Sequence, residues 1–210
     1  MATIRMFRFP DRFLFGCATS ATQIEGGCRT IDWWQFAHEP GRIAHSDVPD
    51  VACDHWNRVR EDTALLTRLG VGAHRLSIEW GRIEPEPGRF DDDALDHYRA
   101  ELLALVNAGI EPMLTLFHFS LPSWLAARGG VLAHEFPERF ATFTRRAVRA
   151  LGDRVKLWVT VNEPNVLVAQ GYLLGLWPPG MRDPRVVPRA IWNLRRAHVA
   201  AYRAIHELAP

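Results

Sequence analysis

Residues 91–119 read DDDALDHYRAELLALVNAGIEPMLTLFHF, an amphipathic helix followed directly by an apolar strand. Three acidic residues open the segment, where a helix N-terminus favours negative charge. One face of the helix carries apolar side chains three or four residues apart, namely Leu95, Tyr98, Leu102 and Leu105. Gly109 then stops the helix, and EPMLTLFHF follows. Because that strand is largely apolar on both faces, the segment predicts one unit of a parallel α/β fold.

The same order of helix, glycine and strand occurs before and after this segment, with glycines about forty residues apart. The earlier helix bears Trp56, Val59, Leu66 and Leu69, ends at Gly70 in an expected left-handed cap, and leads to AHRLSIEW. The later helix bears Phe136, Phe140, Phe143 and Ala147, ends at Gly152, and leads to VKLWVTV.

A first strand in FLFGCATS and a last helix from Pro188 to Leu208 complete four βα units. The sequence contains neither G-x-G-x-x-G at a strand-to-helix junction nor G-x-x-x-x-G-K-[ST], so a nucleotide site has no support. Among parallel architectures this favours the TIM (β/α)8 barrel, of which the chain carries half. We expect residues 1–210 to form a single domain.

Composition narrows the class of protein. With 48% hydrophobic and 23% charged residues the chain is typical of a globular enzyme, and its net charge of +1 argues against a nucleic-acid or membrane surface. Its three cysteines are odd in number and lack C-x-x-C spacing, so they predict no disulfide framework. The N-terminus shows no apolar signal region, and a cytoplasmic protein is expected.

All four predicted strands have polar residues. Strand one leads to Gln23 and Glu25, strand two carries Arg75, Ser77 and Glu79, strand three ends in His118, and strand four ends in Asn162 and Glu163. In a parallel barrel these strand ends share one rim, where such folds place their sites. Each residue taken singly has a structural explanation; Glu79 or Arg75, for instance, could close a buried ion pair. Four polar strand ends together favour a shared site, because buried polar groups destabilise a fold unless they are paired.

The residue types point to a sugar. Gln23, His118 and Asn162 are neutral, directional hydrogen-bonding groups suited to hydroxyls, and the aromatic residues Trp33, Trp34, Phe119 and Trp124 are close in sequence. These aromatics are either core residues or platforms for the apolar face of a pyranose. His118 stands without nearby metal-ligand spacing, so neither zinc nor another cofactor is expected.

Six ordered motifs then resemble a known family: FLFGCATSATQIEGG, ACDHWNRVREDTALLTRLG, HRLSIEWGRIEPEPG, LFHFSLPSWLAARGG, TVNEPNV and GYLLGLWPPG. They are similar to the N-terminal half of glycoside hydrolase family 1, the retaining β-glucosidases and β-glycosidases. The resemblance implies a TIM barrel and a β-glycoside or oligosaccharide substrate. It also implies that Glu163 is the general acid/base. Because proline disfavours a helical conformation at the residue before it, we expect Pro164 to hold Glu163 extended at the rim.

By the same matching, Gln23 and His118 would bind the glycone hydroxyls, Asn162 the sugar 2-hydroxyl, and Arg75 would lie beside the nucleophile. The chain departs from the family pattern at three positions: Thr22 in place of a tyrosine, Phe119 in place of a tryptophan, and Asn165 in place of an aromatic residue. Thr22 and Phe119 bear on packing of the glycone and Asn165 on the aglycone side, so the substrate preference stays open. A glucoside, galactoside, fucoside, mannoside or 6-phospho sugar all remain candidates.

Retaining hydrolysis needs a second carboxyl group, which the family carries in a later Glu-Asn-Gly motif that this chain lacks. Glu79 is not expected to replace it. We therefore expect a truncated or split product, or a half-barrel, whose unpaired sheet edges favour self-association, a complementary C-terminal fragment, or aggregation. Three hypotheses remain: the acid/base half of an enzyme, a non-catalytic sugar-binding or regulatory protein, and a structural half-barrel homodimer.

Overall fold

A parallel sheet organises residues 8–209, which are the residues described by the computed structural model. Its four strands are β1 Gly16–Ala18, β2 Ala73–Ser77, β3 Glu111–Phe117 and β4 Leu157–Val161. They lie in the order β1-β2-β3-β4, with every pair parallel. Each strand therefore lies beside its predecessor in the chain, as it does in a barrel.

The helices connect and cover these strands. They are α1 Ala21–Ile24, α2 Asp32–His38, α3 His55–Leu69, α4 Trp80–Ile83, α5 Asp92–Asn107, α6 Ser123–Ala127, α7 Phe136–Leu151, α8 Pro164–Leu167 and α9 Val187–Leu208. Shorter turns of 3₁₀ helix span Ala44–Ser46, Gly130–Leu132 and Pro184–Val186, and a π-helix spans Val168–Leu173. Every helix within residues 8–209 is too short or too polar to span a lipid bilayer.

Helix α5 confirms the pattern from which its unit was predicted. The Asp91 carboxylate caps it by accepting a hydrogen bond from the N–H of Ala94 at 3.0 Å. Its apolar face is buried at Leu95, Tyr98, Leu102 and Leu105. The face predicted for α7 is also fully buried, at Phe136, Phe140, Phe143 and Ala147. These two helices and the sheet enclose the main core.

The prediction for α3 is partly wrong. Gly70 does adopt the left-handed cap conformation, with φ of 70°, and Trp56 and Leu66 pack against the core. Leu69, however, is 69% exposed. Helix α3 is the first large helix beside the sheet and packs against α5 on one side. Its far side therefore remains open to solvent among the described residues.

The segment AHRLSIEW was predicted as one strand, but β2 ends at Ser77 and helix α4 begins at Trp80. Core packing explains the difference. The Trp80 ring is 1% exposed and lies 4.9 Å from the Phe143 ring and 5.5 Å from the Phe140 ring, measured between centroids. Its indole N–H also donates to Glu84 at 2.8 Å. The buried indole thus turns the chain from strand into helix.

Strands β1 and β4 form the two outer edges of the described sheet. Large apolar side chains lie exposed at the β1 edge, where Phe13, Leu14 and Phe15 are 48%, 53% and 56% exposed. Beside β4, an open groove runs between the strand and α9, lined in part by Trp158 and Leu194. These surfaces agree with the predicted unpaired edges of a half-barrel.

Candidate active site

Three predicted site residues form a hydrogen-bonded chain at the carboxyl edge of the sheet. Arg75, on β2, donates from Nη1 to Oδ1 of Asn162 at 3.0 Å. The amide nitrogen of Asn162, Nδ2, lies 3.5 Å from Nε2 of His118, which is a weak hydrogen bond. His118 follows β3 and Asn162 follows β4, so the parallel register brings together residues distant in sequence.

The bonding pattern assigns the histidine tautomer. Because Arg75 occupies Oδ1 of Asn162, the amide presents its NH₂ group to His118, and Nε2 of the imidazole must accept. The imidazole proton then resides on Nδ1. Burial, with a further contribution from the Arg75 charge, lowers the pKa of His118 to about 4. His118 is therefore neutral near pH 7 and can both donate and accept.

Two N–H groups in this chain of residues are left without a partner. The Nε of Arg75 and the Nδ1 of His118 are buried and have no hydrogen-bond partner among residues 8–209. Such groups are rare in native structures and call for an explanation. Two unpaired donors on residues that are joined through the Asn162 amide favour a ligand or side chain that brings oxygen atoms to this place.

Glu163 follows Asn162 directly, and its side chain is exposed. Its backbone is left-handed, with φ of 40° and ψ of 61°, so the prediction of an extended residue is wrong. The ring of Pro164 disfavours a right-handed helical residue before it, but the chain takes the left-handed alternative because α8 begins at once. The Glu163 carbonyl accepts the N–H groups of Val166 at 3.0 Å and Leu167 at 3.2 Å.

A second left-handed residue occupies the corresponding place after β3. Phe119 has φ of 73° and follows His118 as Glu163 follows Asn162. A left-handed conformation costs a non-glycine residue on the order of 1–3 kcal/mol and concentrates at functional sites. Both strands thus end in a polar residue and then a strained one.

Gln23 lies on α1, outside this hydrogen-bonded chain. Its side chain is exposed, and its Oε1 accepts a hydrogen bond from Ser20 Oγ at 2.7 Å. This bond orients the amide and leaves its NH₂ group as the donor. Helix α1 is itself anchored to β2, because the N–H of Ala21 donates to Ser77 Oγ at 2.8 Å.

Aromatic side chains flank His118. Phe119 lies 4.8 Å from the His118 ring and 4.9 Å from Trp177, and Trp177 lies 5.6 Å from Trp33. The sequence pointed to Phe119 and Trp33 but not to Trp177, although the motif GYLLGLWPPG contains it. The indole N–H groups of Trp34 and Trp124 are engaged: they donate to Asp50 at 2.7 Å and to the Glu84 carbonyl at 2.9 Å.

Glu25 and Glu79 belong to a separate buried network, although the sequence grouped both with the site. Tyr98 donates to Glu25 at 2.7 Å and accepts the backbone N–H of Glu79 at 2.9 Å. Arg82 pairs with Glu25 at 3.1 Å. Glu79, 1% exposed, accepts hydrogen bonds from the hydroxyl groups of Thr22 and Ser120, both at 2.6 Å. These contacts engage both oxygens of each carboxyl group in the structure.

Burial dominates the electrostatics of that network. It raises the pKa of Glu25 to about 8, against the opposing charge of Arg82. It also raises the pKa of Glu79, although hydrogen bonds from Ser120 and Thr22 oppose the effect. A carboxyl group that is buried, has both oxygens bonded and has a raised pKa is a poor nucleophile. The geometry is thus consistent with the expectation that Glu79 does not replace the missing carboxylate.

Comparison with known proteins agrees with the motifs. The model of the family "Glycosyl hydrolase family 1" matches residues 6–210. β-Glucosidase A of Thermotoga maritima is 43% identical over 206 residues, which cover 95% of this chain and 46% of that protein. Coniferin β-glucosidase of Pinus contorta is 43% identical over 188 residues, or 85% of this chain and 37% of that protein.

Solved structures give the same result. The family 1 β-glucosidase from Thermotoga maritima superposes with a TM-score of 0.94 at 42% identity, covering 96% of this chain and 47% of that one. Its complex with glucoimidazole superposes equally well. The chain thus spans about half the length of the relatives it matches. These findings confirm the predicted fold, the first four βα units of a TIM barrel.

Proposed function

This chain belongs to glycosyl hydrolase family 1, and we propose that it is the acid/base half of a retaining β-glucosidase in which Glu163 transfers the proton. The observation that carries this proposal is the arrangement at the carboxyl edge of the sheet. There an exposed carboxyl group on a strained backbone follows a hydrogen-bonded chain of Arg75, Asn162 and His118 with unpaired donors.

Glu163 transfers one proton in each of the two steps of the reaction. First, a carboxylate supplied by the complementary half attacks the anomeric carbon while the Glu163 carboxyl proton moves to the departing glycosidic oxygen. The C–O bond breaks and a glycosyl ester forms. Glu163, now a carboxylate, then takes a proton from water as that water displaces the ester. The two carboxyl groups must lie about 5 to 5.5 Å apart in the assembled enzyme.

The neighbouring residues have distinct proposed roles. The Arg75 guanidinium, with its unpaired Nε, holds the incoming carboxylate ionised by placing positive charge beside it. The Asn162 amide binds the sugar 2-hydroxyl. His118, neutral because its pKa lies near 4, donates from Nδ1 to a glycone hydroxyl. Gln23 donates from the amide NH₂ that its bond with Ser20 leaves free.

We assign the substrate class as β-D-glucosides or β-linked oligosaccharides, following the names of the relatives. The half-buried aromatic side chains of Trp33, Phe119 and Trp177 would pack against the apolar face of the sugar ring. This assignment covers the glycone. The aglycone side contains Asn165, a polar side chain at the first turn of α8.

The proposed partner is a complementary C-terminal half-barrel, and residues 1–210 would be one domain of that assembly. The partner's strands would pair with the outer edges of β1 and β4 and fill the groove between β4 and α9. Joining them would cover Phe13, Leu14, Phe15 and Trp158, and would close the sheet into a barrel.

The test is complementation. The chain is mixed with the C-terminal half of the Thermotoga maritima relative, and hydrolysis of p-nitrophenyl β-D-glucoside is followed. We expect turnover by the mixture, a loss of about 10² to 10⁴-fold in kcat/KM for Glu163→Gln, and no loss for Glu111→Gln. Glu111 is the matched control because it is the first residue of β3 and lies at the amino end of the strand, whereas the candidate site lies at the carboxyl ends. Equal activity of the two variants would remove Glu163 from the mechanism.

A second candidate, a non-catalytic sugar-binding protein, is favoured by one observation. The unpaired donors of Arg75 and His118 are already buried in this chain by itself. If calorimetry showed that the chain alone binds glucoimidazole as tightly as the mixture does, and the mixture never hydrolysed substrate, the binding function would replace the catalytic one.

A further inference from the structure

The hydroxyl group of Thr22 ties the helix that carries Gln23 to the sheet. Thr22 Oγ1 donates to Glu79 Oε2 at 2.6 Å, and Gln23 is the next residue. On the other side, Ser120 Oγ donates to Glu79 Oε1 at 2.6 Å, two residues beyond His118. One carboxyl group therefore joins the neighbours of two proposed glycone ligands that lie on different βα units.

The backbone of Glu79 is a fixed point for these ties. Its N–H donates to Tyr98 at 2.9 Å, and its carbonyl accepts the N–H groups of Arg82 and Ile83, both at 3.1 Å. Glu79 thus lies between β2 and α4, directly before the first residue of α4, with its backbone N–H and carbonyl both engaged. A side chain held this way can set positions around it, because neither its main chain nor its oxygens are free to move.

We propose that Glu79 is the positioning residue of the candidate site, setting the separation of Gln23 and His118 through Thr22 and Ser120. This inference rests on the proposed function for the roles of Gln23 and His118, whereas the ties themselves do not. It gives a physical account of Thr22, where the family pattern has a tyrosine. The threonine hydroxyl reaches the buried carboxyl group of Glu79 from α1.

A second tie joins the same two loops farther along the chain. Asp32 Oδ1 accepts the N–H of Leu121 at 2.8 Å, and the Asp32 N–H donates to the Leu121 carbonyl at 2.9 Å. It fixes α2 rather than α1, so it holds the aromatic residue Trp33. Helix α1 is held by the Thr22 contact together with the bond from the Ala21 N–H to Ser77 Oγ. Loss of the Glu79 ties should therefore loosen α1 without separating the two loops.

The experiment measures hydrogen exchange of single amides by NMR in the 210-residue chain. Thr22→Val keeps the shape of the side chain and removes its hydroxyl. We expect exchange at least about tenfold faster at the N–H groups of Gln23 and Ile24, which donate to the Ser20 carbonyl at 3.1 and 3.2 Å. Thr22→Ser keeps the hydroxyl and should restore slow exchange, and Ser120→Ala should accelerate exchange near His118 alone.

Glu84→Gln is the matched control. Glu84 is also buried at an end of α4 and accepts two hydrogen bonds, from Trp80 and Gly88, both at 2.8 Å, but it does not bond to Thr22 or Ser120. The Glu84→Gln variant should leave the exchange rate of the Gln23 N–H unchanged, with the N–H of Leu105 in the core helix α5 as the internal reference. Unchanged exchange at Gln23 in Thr22→Val, or acceleration spread equally over the chain, would overturn the inference.

Binding of glucoimidazole to the complemented assembly separates this inference from the proposed function. We expect Thr22→Val to weaken binding about tenfold and Thr22→Ser to preserve it. If Gln23→Ala leaves binding unchanged, the proposed role of Gln23 is wrong, while the exchange measurement still decides whether Glu79 holds α1. If Gln23→Ala weakens binding and Thr22→Val does not, the positioning role is wrong.

Discussion

Two groups of polar residues lie at the same edge of one parallel sheet, and they differ in how completely their hydrogen bonds are satisfied. The closed network comprises Glu25, Glu79, Arg82 and Tyr98, whose carboxyl oxygens are all engaged. The open group comprises Arg75, His118, Asn162 and Glu163. It contains two buried unpaired N–H groups and an exposed carboxyl group. Satisfied polar groups stabilise a fold, whereas unsatisfied ones are available to a ligand.

The largest effect on stability should follow from breaking the closed network. Glu25→Ala leaves Arg82 and Tyr98 without their shared partner in a buried setting. We expect the free energy of unfolding, measured with urea, to fall by about 3 to 5 kcal/mol. The matched control is Glu86→Ala, which removes an exposed ion pair with Arg89 at 3.0 Å and should change the value by no more than about 0.5 kcal/mol. Similar losses in the two variants would contradict the contrast.

The two groups should also respond to pH in opposite directions. The folded pKa of Glu25, about 8, exceeds its ordinary value of 4.5, so its contribution to stability is complete below pH 4.5 and is lost as pH rises through 8. The folded pKa of His118, about 4, is below its ordinary 6.5. Because burial keeps this imidazole neutral in the folded state while the unfolded state binds a proton, the free energy of unfolding decreases progressively as pH falls from 6.5 to 4.

Urea unfolding at a series of pH values tests this prediction. Glu25→Gln should flatten the decline of stability between pH 4.5 and 8, and His118→Asn should flatten the decline between pH 6.5 and 4. A His118→Asn variant whose acid slope matches that of the parent chain would show that this imidazole is not desolvated.

The contrast explains which features the sequence alone could predict. Apolar stripes and glycine positions predicted four βα units, since helix period and burial are encoded locally, as at Leu95, Leu102 and Gly70. The sequence does not predict the closed network, because its contacts join residues far apart in the chain. Thr22 bonds to Glu79, and Tyr98 bonds to Glu25. Polar strand ends therefore look alike in the sequence, and the sequence alone groups Glu25 with the site. The left-handed backbone of Glu163 also depends on how α8 starts, which the Pro164 rule does not determine.

A smaller effect on stability, but a large one on binding, is expected within the open group. Asn162→Ala removes the acceptor of Arg75 and should lower the free energy of unfolding by about 1 kcal/mol. Its affinity for glucoimidazole in the complemented assembly should fall at least about tenfold, because the proposed 2-hydroxyl contact is lost. Calorimetry and urea unfolding measure the two quantities.

Asn193→Ala is the matched control for this variant. Asn193 is a buried asparagine whose amide donates to the carbonyl groups of Val131 at 2.8 Å and Ala133 at 3.2 Å, away from the site. It should cost stability and leave affinity unchanged. The reverse pattern, with binding weakened by Asn193→Ala and not by Asn162→Ala, would place the site elsewhere.

The most direct measurement compares leaving groups in the complemented enzyme. A poor leaving group requires protonation by the acid, whereas 2,4-dinitrophenolate departs with little help. If Glu163 donates the proton, Glu163→Gln should lower kcat/KM by about 10² to 10⁴-fold for phenyl β-D-glucoside and by less than about tenfold for 2,4-dinitrophenyl β-D-glucoside. An equal loss with both substrates, no loss with either, or an assembly that turns over neither would contradict the account.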